Sequence, residues 1–250
     1  MSRFHITLII AVLLAVPAAA FSCRALLGVI SVTMFALVGL GVVWPQMSFF
    51  GSFICRGDAS AKRVAITFDD GPDARSTPAL LDLLRESGME ATFFCIGKHV
   101  AAEPAIARRI LVEGHMLENH SFEHSNFTNF FTVSQLKADL TQAQAAVNTA
   151  TSHTPKLFRP PVGLSNPNVF RAAKDLGLRV VGWNIRSLDT RITDPVRIVR
   201  RIERGLSPGA IILLHDGNIP AERLLPTVKL LLAKLREHGY EVVRLDKLIG

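Results

Sequence analysis

The chain has 250 residues, 20% of them charged, and a formal net charge of +7, yet its mean hydropathy is +0.30. Positions 1–50 hold no Lys, Asp or Glu and only Arg3 and Arg24, while the remainder has the charge balance of an ordinary soluble domain. That distribution excludes intrinsic disorder and a polytopic transporter, and the lack of a dense basic stripe argues against a nucleic-acid partner. Cys23, Cys55 and Cys95 are too far apart for a disulfide framework or a Cys-rich zinc site.

Positions 6–21 and 25–44 are uncharged runs of 16 and 20 residues. A bilayer core of roughly 30 Å takes about 20 apolar residues as a helix, so the second run is long enough to span it. Either positions 1–20 form a secretory signal cleaved near Ala18-Ala19-Ala20, or both runs persist as a hairpin turning at Ser22-Cys23-Arg24. The expected division is a membrane-anchoring segment at 1–50, a linker at 51–63 and one domain at 64–250. The bilayer is therefore an expected partner and the cell membrane the expected location. Arg56, Lys62 and Arg63 would favour a cytoplasmic domain by the positive-inside rule. A cleaved signal or an N-out arrangement favours export, and the domain is expected on the extracytoplasmic face.

From position 64, short apolar β-type runs alternate with amphipathic segments. Strands are expected at 64–68, 91–96, 115–118, 157–159, 179–183, 210–214 and 241–245, several reading as the continuous apolar runs of parallel strands covered on both faces. Between them, Thr77-Pro78 offers a capping hydroxyl before a first-turn proline for a helix that ends at Gly88. Further helices are expected at 104–113, 134–151, 168–176, 195–204 and 222–238, four of them followed at once by a glycine. The expected fold is α/β, a distorted (β/α)7-type barrel of mostly parallel strands, preceded by one or two transmembrane helices.

The unusual polar residues gather at the carboxyl ends of these strands, where α/β folds build their sites. They are Asp69-Asp70, Asn119-His120, Arg159, Asn184 and His215-Asp216. Adjacent carboxylates before Gly71-Pro72 repel, and a cation or an arginine relieves that repulsion. His120 and His124 stand four apart and share a face if the segment coils, so with one Asp they form an N,N,O donor set. Such a set suits zinc and also accepts cobalt, nickel or ferrous iron. Arg159 precedes a rigid Pro160-Pro161 turn and would orient Asp69. His99, His115, His153 and His238 read as structural or surface residues.

These residues resemble the motifs of the polysaccharide deacetylases, the NodB-like carbohydrate esterases of family 4. The matches are Thr67-Phe68-Asp69-Asp70-Gly71-Pro72, Ala91-Thr92-Phe93-Phe94, the His120-to-His124 pattern, Arg159-Pro160-Pro161-Val162-Gly163 and Leu213-Leu214-His215-Asp216. The resemblance implies an N-deacetylase of N-acetylglucosamine-type sugars in an envelope glycan. It implies that Asp70, His120 and His124 hold a divalent ion, usually zinc, that Asp69 is the general base and that His215 is the general acid. It further implies that Arg159 pairs with Asp69, Asp189 orients His215, the Val162 N–H steadies the oxyanion and Leu213 lines the acetyl pocket. Val162 stands where the family often has Tyr. An Asp-x-x-Asp-Trp pattern is reduced to Arg186-x-x-Asp189-Thr190, which alters the groove wall and suits Arg186 to an anionic substrate. Removal of formyl from a lipid-linked amino sugar and non-catalytic glycan binding are the competing expectations.

Overall fold

The computed structural model describes residues 2–250. Two apolar helices come first, α1 (Arg3–Ala20) and α2 (Arg24–Val43), packed against each other across a turn at Phe21-Ser22-Cys23. Both are long and apolar enough to cross a membrane, and most of their side chains are exposed. A membrane anchor has this character, and so does a signal sequence.

The domain then runs β1 (Arg63–Asp69), α3 (Thr77–Ser87), β2 (Thr92–Cys95), α4 (Gly97–Ala102), α5 (Pro104–Val112) and β3 (Met116–Asn119). It continues with α6 (Val133–Thr151), β4 (Leu157–Phe158), α7 (Pro167–Asp175), β5 (Arg179–Val180) and β6 (Ile185–Arg186). Last come α8 (Pro195–Gly205), β7 (Ala210–His215), α9 (Ala221–Glu237), β8 (Glu241–Val242) and α10 (Leu245–Ile249). All strand pairings are parallel, in the order β5-β4-β3-β2-β1-β7-β6. β7 lines one edge of β1 from Val64 to Asp69. The other edge is shared, with β8 against Arg63 and Val64 and β2 against Thr67 to Asp69. Among the described residues eight strands therefore fill seven ranks, a half-barrel consistent with the distorted (β/α)7-type barrel expected from the sequence.

Ile54, within the expected linker, bridges Val181 beyond β5, and Gly57 N–H donates to the Gly209 carbonyl just before β7. This stretch laces the open seam at the base of the half-barrel. Phe53 is buried with Phe158 and Val169 in the cluster under α6 and α7.

The two-residue period of β-strands fixes which side chains face the site. In β1, Val64, Ile66 and Phe68 pack outward beneath the helices, together with Ile212 and Leu214 of β7. Ala65, Ile211 and Leu213 join Phe94 and Trp183 in a separate inner cluster. Thr67, Asp69 and His215 share the inner phase, so alternation alone delivers a carboxylate and an imidazole to one interior. A one-residue slip of β1 would bury Phe68 there and send Asp69 outward.

Some local expectations give way. β6, α4 and α10 are additional elements, each six residues or fewer and too short for a periodic signal. Ser76, not Thr77, is the N-cap of α3 and makes no side-chain cap bond. The Thr77 hydroxyl instead donates to Asp216 Oδ2 at 2.6 Å and accepts from the Asp73 N–H at 2.8 Å.

Candidate active site

Asp69 ends β1, and Asp70 follows at φ +74°, a left-handed turn that aims its carboxylate across the strand ends. His120 follows β3. The chain from His120 to His124 does not coil into a helix. Ser121 and His124 adopt positive φ, and the Ser121 hydroxyl accepts the His124 N–H at 3.0 Å. The spacing of four thus works through a tight turn, with the two ring centroids 4.9 Å apart.

Asp70 Oδ1 lies 3.3 Å from His120 Nε2 and 3.2 Å from His124 Nε2. Their ligand atoms all fall within 4.8 Å of one another. The His120 Nδ1–H donates to the Arg159 carbonyl at 2.8 Å, which directs Nε2 toward Asp70. Asp70 Oδ1 is buried and finds no hydrogen-bond partner among the described residues. Two imidazole nitrogens around an orphaned carboxylate oxygen fit a divalent ion with a position left open for water.

Burial opposes ionising Asp70, but the close His120 imidazole and the charges of His120, His215 and His124 hold its carboxyl down at about 2. Burial likewise pulls the His120 imidazole down and is outweighed by Asp69 and Asp70, which raise it. His124 is lowered, by burial first and by His120 second, which favours the neutral form a ligand needs.

Arg159, just after β4, is fully buried. Its Nη1 donates to Asp69 Oδ1 at 2.6 Å and to Thr67 Oγ1 at 2.8 Å, and its Nη2 to the Gly182 carbonyl at 2.9 Å. The guanidinium stacks 4.1 Å over the Phe94 ring centroid. A single buried cation therefore holds Asp69 Oδ1, leaving Oδ2 3.8 Å from His120 Nε2.

Across the pocket, His215 ends β7. Its Nδ1–H donates to Asp189 Oδ1 at 2.9 Å and its backbone N–H to Asp189 Oδ2 at 2.8 Å. Burial lowers this imidazole, but the Asp189 bond and charge, with Asp69 and Asp70 behind, push it up to about 9. Asp189 is fixed in turn by the Ser187 hydroxyl at 2.8 Å and by Arg223 on its carbonyl. These groups enclose a pocket of about 170 Å³, walled also by Val162, Trp183 and Leu213. Val162 is half exposed at φ +60°, a conformation that is costly for a β-branched residue and that gathers at functional sites. Gly163 follows at φ +72°, where any Cβ would strike the Trp183 ring.

One expected rim residue lies elsewhere. Asn184 Oδ1 accepts the Ile211 N–H at 2.7 Å, near the start of β7 and away from its carboxyl end. β6 begins one residue later, so Asn184 sits low in the sheet while Trp183 and Arg186 on either side of it reach the pocket.

Several contributors have no role assigned from the sequence. Asp216 is buried, accepts from Thr77, and burial pushes its carboxyl up to about 7. It ties β7 to the head of α3 and so supports the turn after Asp70. His99 Nδ1 pairs with the Asp70 carbonyl at 2.8 Å. Trp183 supplies a wall. Asp216 belongs to the last matched motif, whereas the sequence signal for His99 and Trp183 is no more than a polar or aromatic residue beside a strand end.

A family model described as polysaccharide deacetylase matches residues 56–181. The chain is 35% identical over 189 residues to the peptidoglycan-N-acetylglucosamine deacetylase PgdA of Listeria monocytogenes, covering 76% of this chain and 39% of that protein. It is 32% identical to a chitooligosaccharide deacetylase of a Bradyrhizobium strain, covering 77% of this chain and 93% of that one. Among solved structures it resembles wild-type BA3943, a CE4 family pseudoenzyme from Bacillus anthracis. There the TM-score is 0.74 and the identity 25%, with 80% of this chain and 69% of that chain covered.

Proposed function

Because the chain belongs to the polysaccharide deacetylase family, we propose that it is a metal-dependent hydrolase that removes N-acetyl groups from N-acetylglucosamine-type sugars of an envelope glycan. The observation that carries this reading is one pocket holding the Asp70–His120–His124 donor set, with Asp69 and His215 on its walls.

In this proposal Asp70, His120 and His124 hold one divalent ion, zinc before cobalt, nickel or iron. When bound, it supplies Lewis acidity to the attacking water and the acyl carbonyl. Asp69 accepts the proton of that water, with Arg159 holding one carboxylate oxygen so that the other faces the pocket. The Val162 N–H donates to the oxygen that gains charge in the transition state. Leu213 bounds the space for the acyl methyl. His215 delivers its proton to the departing nitrogen, since an amine leaves only when protonated. Asp189 fixes the imidazole so that its Nε2 side carries that proton.

The hairpin is proposed as a lasting anchor. Arg3 Nη1 donates to the Met47 carbonyl and Phe4 N–H to the Phe49 carbonyl, both at 2.9 Å. The Phe4 ring packs on Phe49 and Phe50, so the first helix is knitted to the segment that enters the domain. An extracytoplasmic domain would meet the envelope glycan directly.

Mass spectrometry of N-acetylated glucosamine oligosaccharides and of an N-formylated amino sugar, each incubated with the zinc-loaded full chain, should show loss of acetyl from the former. Loss confined to formyl groups on an amino sugar would replace this reading, and no change in either substrate would overturn it. Elemental analysis of His124→Ala should find most of the bound zinc lost. Zinc content equal to wild type would remove His124 from the donor set.

The elevated His215 sets the alkaline limb of the rate profile. A general acid works while protonated, so kcat/KM should hold up to about pH 9 and decline above it. Asp189→Asn removes the group that raises this imidazole, and the limb should move down toward the ordinary histidine value of about 6.5. An unchanged alkaline limb in that variant would show that His215 is not the titrating acid.

A further inference from the structure

The catalytic pocket has a second cavity as its neighbour. Arg186 lines both, and beyond it lies a groove of about 500 Å³ between β6 and α8. Arg197, Arg200, Arg201 and Arg204 line the same groove. Their spacing puts them on one face of α8, opposite the buried Ile198, Val199 and Ile202.

Five exposed guanidiniums thus share one concavity, and among the described residues none is ion-paired to a carboxylate. The acids nearby are committed elsewhere. Glu203 pairs with His238 at 3.0 Å, and Asp194 caps the helix by accepting the Val196 N–H at 2.9 Å. Arg201 Nε donates to the Arg186 carbonyl at 2.8 Å, which locks the helix face to β6. Like charges three and four apart destabilise a helix. A solvated face normally intersperses acids among its arginines, and this one does not.

We propose that this groove is an anion subsite that takes a phosphoryl group carried by the amino-sugar substrate while the acetamido group occupies the catalytic pocket. A guanidinium fork matches phosphate oxygens in pairs, and several forks suit a multiply charged phosphodiester or diphosphate better than one carboxylate. Arg186 joins the two cavities, and its partner in β7 is Leu213, which walls the catalytic pocket. The placement of the acetamido group rests on the deacetylase reading. The anion subsite stands on the arginines alone.

Calorimetric titration of pyrophosphate into the full chain in neutral detergent tests the subsite without turnover. One saturable site is expected, weakened at least about tenfold in Arg197→Gln/Arg200→Gln at exposed positions that tolerate the change, and unaltered in His124→Ala. Absence of binding, or binding that survives the arginine changes, would overturn the subsite. Kinetics on an N-acetylated oligosaccharide with and without a phosphate ester then test its link to catalysis. The arginine variant should raise KM for the phosphorylated sugar about tenfold and leave kcat and the neutral sugar untouched. Equal effects on both sugars would sever the groove from substrate. If neither sugar is turned over by wild type, the deacetylase reading fails while the titration still decides the subsite. Repeating the titration in nanodiscs of phosphatidylglycerol and of phosphatidylcholine separates the source of the phosphate. Similar affinity in both supports the sugar, and loss in the anionic discs assigns the groove to lipid headgroups.

Discussion

Asp69→Asn is expected to lower kcat/KM on N-acetylated oligosaccharides by roughly 10²–10⁴-fold, the usual worth of a positioned general base, while metal content stays at the wild-type level. The amide keeps the shape of the carboxylate and can still accept from Arg159, but it cannot take a proton from water. Asp69 is the inward neighbour of the donor set rather than one of its three close members, its Oδ2 being 3.8 Å from His120 Nε2. Elemental analysis beside the kinetics therefore separates base from ligand. A variant that loses its metal would make Asp69 a ligand, and one that keeps full activity would remove the base. The comparison has an edge because the fold also occurs in a CE4 family pseudoenzyme. A wild-type rate no higher than that of Asp69→Asn would favour a non-catalytic glycan-binding role.

The second large effect is on stability. Arg159→Met should cost about 3–5 kcal/mol, the penalty for stripping the partner from a buried charge, read as a fall in the urea midpoint of the holoprotein. Arg159 is fully buried, and Asp69 is 3% exposed. Met leaves Asp69, the Thr67 hydroxyl and the Gly182 carbonyl each without a donor at once. Arg159→Met/Asp69→Asn should recover part of the loss, because no unpaired charge then remains inside. A double variant less stable than Arg159→Met alone would show that packing over Phe94, not charge pairing, makes Arg159 necessary.

Residue type and spacing foretell a good part of this site, and they fall short where backbone conformation decides. The inward phase of Asp69 and His215 follows from plain alternation in two apolar strands. The convergence of Asp70, His120, Arg159 and His215 follows from parallel strands ending on one rim. By contrast, His120 and His124 meet through left-handed residues at Ser121 and His124, a geometry that a spacing of four does not encode. Val162 is similar, since nothing about valine announces a positive φ. Asn184 was misplaced because a two-residue strand begins just after it, too brief to show a period. The expected lack of a dense basic stripe gives way at α8, where Arg197, Arg200, Arg201 and Arg204 gather on one helix face, and the groove they line depends on β6 lying against α8, which no local pattern reveals.

The hairpin reaches the catalytic half of the domain as well as its entry segment. Gln46 Nε2 donates to the Trp183 carbonyl at 2.8 Å, and the Ser165 N–H, just past the Val162 turn, donates to the Val42 carbonyl at 3.3 Å. Two pieces of the pocket wall are thus fastened to the end of α2. If that helix lies in a bilayer and the chain is the proposed deacetylase, its reach would be a thin shell above the lipid, and its turnover would follow the areal density of glycan in that shell rather than the bulk concentration of polymer beyond it.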